Sequence, residues 1–287
     1  MIKVDRFDVN IEHYPDGTQK ITLDFLKGAE WETVKISWHY ENDEECMTLK
    51  YIVDSLKRLG IKSYLEMPYI PNARMDRIKS EYEVFTLKTF SDFINSLGFE
   101  RVYVLDPHSE VSLALIDRVV KLDPLQYISV ALQRIENDED DKISIIYFPD
   151  AGAMKRYGDM LKRFGERKYL YGYKKRDWKT GNIESLMIFD SDNKQISEGD
   201  LEGESILMID DIISYGGTMY YSAKALNKCG AGNIYAYVTH TENSILDKEK
   251  GKFMKLMSED PKIVKKLYTA DTIYTSENEN ISVIHVS

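Results

Sequence analysis

Cysteine is almost absent from this chain of 287 residues. Cys46 and Cys229 are far apart, form no metal-ligand spacing and give no disulfide framework. Both fall in helical patterns and read as buried thiols of a reducing compartment. No apolar run is long enough to span a membrane. The first six residues already carry three charges, so no signal peptide is read there and a cytoplasmic protein without membrane contact is expected. Positive charge is in short supply: the net charge of -10 argues against broad nucleic-acid binding and leaves room only for local basic pockets. The five histidines are scattered, and there is no low-complexity tract or short repeat. What remains is a chain that is 43% hydrophobic and 30% charged, enough for a sizeable core in one large or two ordinary domains.

Strand-like apolar runs recur at 20–25, 34–38, 63–67, 101–105, 143–148, 186–189, 206–209 and 234–238. Between many of them the spacing predicts helices over 43–59, 84–97, 152–164 and 217–229, with Gly60, Gly98, Gly165 and Gly230 in stop positions. Alternation of this kind predicts an α/β fold with mostly parallel sheets covered on both faces. The pattern occurs twice. The acidic run Glu136–Asp141 reads as a solvated connection, which puts a first domain at 1–135, a second at 136–275 and a terminal strand at 276–287 returning to the first.

The stretch 206–226 organises the rest. Four apolar residues lead into Asp210 and Asp211, then Ser214, Tyr215, Gly216, Gly217 and Thr218, then a helical pattern. Adjacent glycines let backbone approach a phosphate, a helix amino terminus offers free N–H groups and a positive dipole end, and paired carboxylates suit sugar hydroxyls or a magnesium-bound substrate. A lone Asp-Asp or Gly-Gly would be an ordinary strand-to-helix turn; the ordered combination favours a phosphosugar site.

Other candidate segments are ambiguous taken singly. His13-Tyr14-Pro-Asp16-Gly17-Thr18 is a hairpin turn by composition. Arg74, Asp76 and Arg77 follow two prolines and form either a surface ion-pair cluster or a phosphate clamp. His108 lies just past a strand's carboxyl end, where open sheets place ligands. Pro149-Asp150-Ala-Gly repeats the strand, acid, glycine, helix logic, with Lys155 and Arg156 read as a solvated helix face. Lys174, Lys175, Arg176 and Lys179 are four cations in six positions of an acidic protein. They form either a surface turn or an arm that closes on a transferring phosphoryl group.

Together these segments resemble, in order and spacing, the ribose-phosphate pyrophosphokinases, and the 206–226 stretch also resembles the phosphoribosyltransferases. The resemblance implies two tandem phosphoribosyltransferase-like domains. It also implies transfer of the β,γ-diphosphate of MgATP to the 1-hydroxyl of a 5-phosphorylated ribose, with AMP released. Tyr14, Asp16, Arg74, Arg77 and His108 are then carried over as ATP ligands, His108 and Asp150 as ligands of magnesium, and Lys174 and Arg176 as the catalytic arm. Asp210 and Asp211 are carried over to the ribose hydroxyls, and Ser214 through Thr218 to the phosphate. Small-molecule substrates and a homo-oligomer are implied as well.

The chain departs from the pattern at four places. Thr18 stands for Glu, Met75 for Gln, Ser214 for Asp and Tyr215 for Thr. The last two leave ribose 5-phosphate and ADP-ribose open as acceptors, because a tyrosine at 215 could stack on a base beyond an esterified phosphate. Relatives acting on ADP-ribose would place the chain in NAD metabolism. A catalytically weak regulatory homologue and a plain phosphoribosyltransferase are the other readings. The sequence also stops where the family continues with another helix, which bears on the family's ring-like hexamer.

Overall fold

The computed structural model describes residues 1–28, 30–161, 163, 165, 167–176, 183–259 and 261–285, in two compact units, Met1–Asp123 and Pro124–Ser287. The first unit begins with strands β1 (Ile2–Val4), β2 (Phe7–Asp8), β3 (Asn10–His13) and β4 (Gln19–Thr22). It continues with β5 (Thr33–Trp38), α1 (Glu44–Arg58), β6 (Lys62–Glu66), α2 (Thr86–Leu97), β7 (Val102–Leu105), α3 (Glu110–Leu115) and β8 (Val119–Leu122). Its main sheet has the order β2-β1-β5-β6-β7-β8, parallel from β5 to β8 with β1 and β2 added antiparallel. β3 and β4 form a separate hairpin. Leu49, Ile52, Val53 and Leu56 give α1 one buried face at helical spacing. They pack with Ile36, Leu65 and Val104 of the sheet, and burial of each such side chain contributes roughly 1.5–3 kcal/mol. α2 ends as the sequence indicates, with Gly98 in the left-handed region at its C-cap.

The second unit contains α4 (Leu125–Asp138), β9 (Ile145–Phe148), α5 (Ala151–Leu161), β10 (Lys168–Arg176), β11 (Ile183–Asp190), β12 (Ile206–Ile213) and α6 (Gly217–Lys228). β13 (Ile234–Thr241), α7 (Lys252–Ser258), β14 (Leu267–Ala270) and β15 (Ile281–Ile284) complete it. Its sheet runs β11-β10-β9-β12-β13-β14-β15, parallel throughout except for β11 against β10. Both faces are covered, as strands of continuous apolar character require. Along β12 the period of two is explicit. Ile206 and Met208 join a core with Ala223 and Leu226 of α6, while Leu207 and Ile209 join another with Ile135 of α4 and Tyr157 of α5.

Three expectations differ from this architecture. The acidic run is no connection: Glu136 to Asp138 form the last residues of α4, and the units divide between Asp123 and Pro124. Ile128, Ala131 and Ile135 hold that helix in place through one buried face. The terminal strand β15 pairs with β14 in the second sheet and does not join the first. Of the basic segment, Lys174 to Arg176 are strand, the end of a β10 paired to β11 and, up to Tyr171, to β9.

Candidate active site

In the first unit the candidate ATP ligands occupy three loops. Tyr14 and Asp16 lie at the tip of the β3–β4 hairpin, closed by hydrogen bonds from Tyr14 N–H to the Thr18 carbonyl (2.8 Å) and from Gly17 N–H to the Tyr14 carbonyl (2.8 Å). Thr18 is turned onto its neighbour Asp16. Its N–H (2.9 Å) and hydroxyl (2.7 Å) both donate to Asp16 Oδ1, and these bonds hold the carboxyl below its ordinary range. The ring of Tyr14 is exposed.

The arginine segment leaves β6 through Met67, Ile70, Pro71 and Ala73, all buried, so that Arg74 and Arg77 are held at the surface by an apolar root. Arg77 Nε stands 3.7 Å from Asp76 Oδ1, a loose neighbour pair of little energetic weight. The His108 loop follows β7, the strand next to β6. Leu105 N–H donates to the Pro68 carbonyl (3.0 Å), and Asp106, buried and at φ +43°, turns the chain toward a half-buried His108. Parallel pairing of β6 and β7 thus puts the Arg74 and His108 loops at the same carboxyl edge, where an open α/β sheet binds ligands.

In the second unit, β9 and β12 are parallel neighbours, and the acids follow from that. Asp150 comes two residues after β9, and its Oδ1 accepts the Ala153 N–H (3.0 Å) in the first turn of α5. Asp210 and Asp211 are not past the end of their strand, as the sequence suggests. β12 continues to Ile213 because β13 supplies pairing partners up to Thr241, whereas β9 pairs only as far as Met208. The two acids are consecutive in the strand, and their carboxyls lie close enough to interact directly.

Asp211 faces α5. Only 2% of it is exposed, and its Oδ1 meets Arg156 Nη1 at 2.6 Å. The expected solvated face of α5 is corrected here, since the Arg156 side chain is 17% exposed and is the counter-charge of a buried acid. Asp210 is half-buried, and its carboxyl is pushed well above the ordinary range, by burial first and then by the charges of Asp211 and Asp150. Tyr147 carries the face beneath: fully buried, it donates its hydroxyl to Ser222 Oγ (3.0 Å) and ties β9 to α6.

The loop from Ser214 to Thr218 delivers the chain to the amino terminus of α6. Gly216 sits at φ +76°, and a Cβ there would overlap the Cβ of Phe253 in α7, so both backbone and packing demand glycine. At Gly217 the space beyond the backbone is open, which leaves room for a ligand. Ser214 hydrogen-bonds to Ser244 Oγ (3.1 Å), which donates to Glu242 Oε2 (3.0 Å). The acid missing at 214 therefore stands two hydrogen bonds away. Tyr215 is 39% exposed, and Lys250 Nζ lies 5.5 Å from its ring centre.

Lys174 and Arg176 are the last part of β10; their side chains lie outside the described residues, as do residues 177–182. Gly172, the first residue of that strand past its pairing with β9, is obligatory, since a Cβ would overlap the Tyr147 hydroxyl. Among the described residues no group of three or more His, Cys, Asp or Glu side chains is placed to hold a metal ion. Magnesium does not require one, since it keeps several waters and takes one or two carboxylates besides substrate phosphates. The mutual charge of Asp150, Asp210 and Asp211 suits such a hydrated cation, whereas the imidazole of His108 is a poor donor for it.

Sequence reasoning missed Arg156 and the lysine-bearing turn at 247–252. The signal for Arg156 was its place one helical turn beyond Gly152 on the helix that starts just after Asp150. The signal for the turn was four lysines within 248–255 of an acidic chain.

A strand-to-helix phosphate loop preceded by two acids, on a parallel sheet covered on both faces, defines the phosphoribosyltransferase class. The family model described as "Phosphoribosyl transferase domain" matches residues 126–270, which is most of the second unit. The chain is 30% identical over 232 residues to a ribose-phosphate pyrophosphokinase of Oceanobacillus iheyensis, covering 80% of this chain and 68% of that protein. It is 27% identical over 287 residues to that of Sulfurisphaera tokodaii (97% and 89%) and 27% identical over 237 residues to that of Thermococcus kodakarensis (81% and 77%). A crystal structure of the phosphoribosylpyrophosphate synthetase from Mycobacterium smegmatis shares the fold, with a TM-score of 0.74 at 17% identity over 97% of this chain and 86% of that one. The chain belongs to the ribose-phosphate pyrophosphokinase family, and its α/β architecture of two phosphoribosyltransferase-like units is that of the family. Among the described residues no helix is long and apolar enough to cross a membrane.

Proposed function

We propose that the protein transfers the β,γ-diphosphate of MgATP to the 1-hydroxyl of a ribose bearing a phosphate at C5. The hydroxyl oxygen attacks the β-phosphorus, the bond from that phosphorus to the α,β-bridging oxygen breaks, and AMP leaves. The observation that carries the reading is the Ser214–Thr218 loop at the amino terminus of α6, with Asp150 and Asp210 in mutual electrostatic contact before it, in a chain of this family. A helix end with open space over Gly217 suits a sugar phosphate, and the neighbouring acids suit ribose hydroxyls.

Asp210 holds the ribose hydroxyls, while Asp211, buried against Arg156, fixes the strand end beside it. Arg74, Arg77 and His108 serve the triphosphate, Tyr14 and Asp16 the adenine, and Lys174 and Arg176 neutralise the charge that builds on the transferring group. Magnesium, which Asp150 would help to hold together with substrate phosphate oxygens, would supply further charge neutralisation. No covalent intermediate is required, since positioning and electrostatics suffice for phosphoryl chemistry. The protein works as a homo-oligomer in the cytoplasm.

The acceptor is ribose 5-phosphate or ADP-ribose, and assays with each, following AMP, separate the two. Lys174→Ala and Arg176→Ala are expected to lower turnover by about 100-fold or more while the circular dichroism spectrum is unchanged. Near-normal turnover in both variants would remove the arm from the mechanism. A purified chain that releases no AMP with either acceptor would overturn the enzymatic reading and favour a regulatory homologue.

A further inference from the structure

Beside the phosphate loop the second unit carries more positive charge and aromatic surface than a terminal phosphate needs. The turn from Asp247 to Lys252 is built to a fixed shape. Asp247 Oδ1 accepts the N–H groups of Glu249 (2.9 Å) and Lys250 (2.8 Å), and the Asp247 carbonyl accepts that of Gly251 (2.8 Å). Gly251 is buried so closely that a Cβ would overlap the carbonyl oxygens of Ile245 and Asp247. The turn is joined to the loop itself, because Lys252 N–H donates to the Tyr215 carbonyl (3.2 Å). It presents two ammonium groups over two exposed rings. Lys250 Nζ is 5.5 Å from the centre of Tyr215, and Lys252 Nζ is 5.7 Å from that of Tyr221. Each ring is 39% exposed. Of the acids in the turn, Asp247 is spent on backbone N–H groups, which leaves Glu249 as the nearby competitor.

A terminal 5-phosphate is served by the loop N–H groups and the positive end of α6. Two further cations on a rigid turn match another phosphate, and flat exposed rings match a base. We propose that Lys250 and Lys252, held over Tyr215 and Tyr221, form a second anion subsite. It receives the distal phosphate of an acceptor whose 5-phosphate is already esterified, with the tyrosine rings as the surface for its base. The inference rests on the loop being the acceptor's phosphate site, and it assigns that site a diphosphate-linked nucleoside such as that of ADP-ribose.

Isothermal titration calorimetry of the full chain with ADP-ribose and with ribose 5-phosphate tests it. The intact protein is expected to bind ADP-ribose at least about tenfold more tightly than ribose 5-phosphate, each competing with the other. Lys250→Ala with Lys252→Ala, both exposed positions, should weaken ADP-ribose by about tenfold or more and ribose 5-phosphate by less than twofold. Lys252→Arg should restore part of the loss. Equal affinity for the two ligands, equal loss of both in the double variant, or binding of ADP-ribose that ribose 5-phosphate does not displace would each overturn the subsite. Tight, lysine-dependent ADP-ribose binding without AMP release would keep the subsite and overturn the transferase reading instead.

Discussion

Asp211 and Asp210 are neighbours in sequence with opposite electrostatic fates, and both are open to measurement. The Asp211 carboxylate is in the core against the Arg156 guanidinium, so Arg156→Ala leaves an acid buried without that counter-charge. Breaking such a pair costs about 3–5 kcal/mol. The expected result is a lower urea midpoint with an unchanged slope, and Arg156→Lys should recover part of it. Asp210 behaves differently. Its folded pKa is raised, so the native state favours the neutral acid: protonation stabilises the fold at low pH, and that stability is lost as pH rises through the raised value. Asp210→Asn is neutral at every pH. It should match the wild type in acid and melt at a higher temperature than wild type above the ordinary carboxylate pKa, with turnover lost. Thermal melts from pH 4 to 8 check the sign, and a variant less stable at pH 8 than wild type would contradict the burial argument.

At the scale of elements, the β12-loop-α6 unit is the one the rest depends on, and Gly216 is its weakest point. Gly216→Ala must adopt φ +76° and push against Phe253 of α7 at once. The left-handed conformation costs roughly 1–2 kcal/mol and overpacking about 1–3 kcal/mol more. Loss of sugar-phosphate binding larger than the loss of stability, read by calorimetry and by melting, is the expected pattern, because the loop moves before the sheet does.

This element was legible in the sequence. An apolar run, two acids, two glycines and a helical period each have one local meaning, and the meanings agree. α1 and α2 were legible for the same reason, with Gly60 and Gly98 both at positive φ just past their ends. Less legible were elements whose identity depends on neighbours. β10 alternates tyrosine with leucine and glycine and ends in cations, and pairing with β9 and β11 is what makes it a strand. The run Glu136 to Asp138 has the composition of a loop, yet the face of Ile128, Ala131 and Ile135 buried upstream carries α4 through it. The roles of Arg156 and Lys250 were out of reach, since a partner on another element defines each of them.

At the scale of the whole molecule, each unit has a sheet and an apolar core of its own, and the chain passes from one to the other between Asp123 and Pro124. The second unit contains the Ser214–Thr218 loop, Asp150, Asp210, Asp211 and Arg156 and covers its sheet on both faces. Residues 124–287 expressed alone are therefore expected to fold cooperatively, since the seven strands bury their own two cores. A single thermal transition and dispersed amide resonances would verify this. The fragment should bind the sugar-phosphate acceptor within about threefold of the full chain, because no acceptor ligand is assigned to the first unit. It should release no AMP from ATP, because Arg74, Arg77 and His108 are absent from it. A fragment that folds yet fails to bind the acceptor would place an acceptor ligand among residues 1–123 and redraw the division of labour. One that releases AMP would remove Arg74, Arg77 and His108 from the reaction.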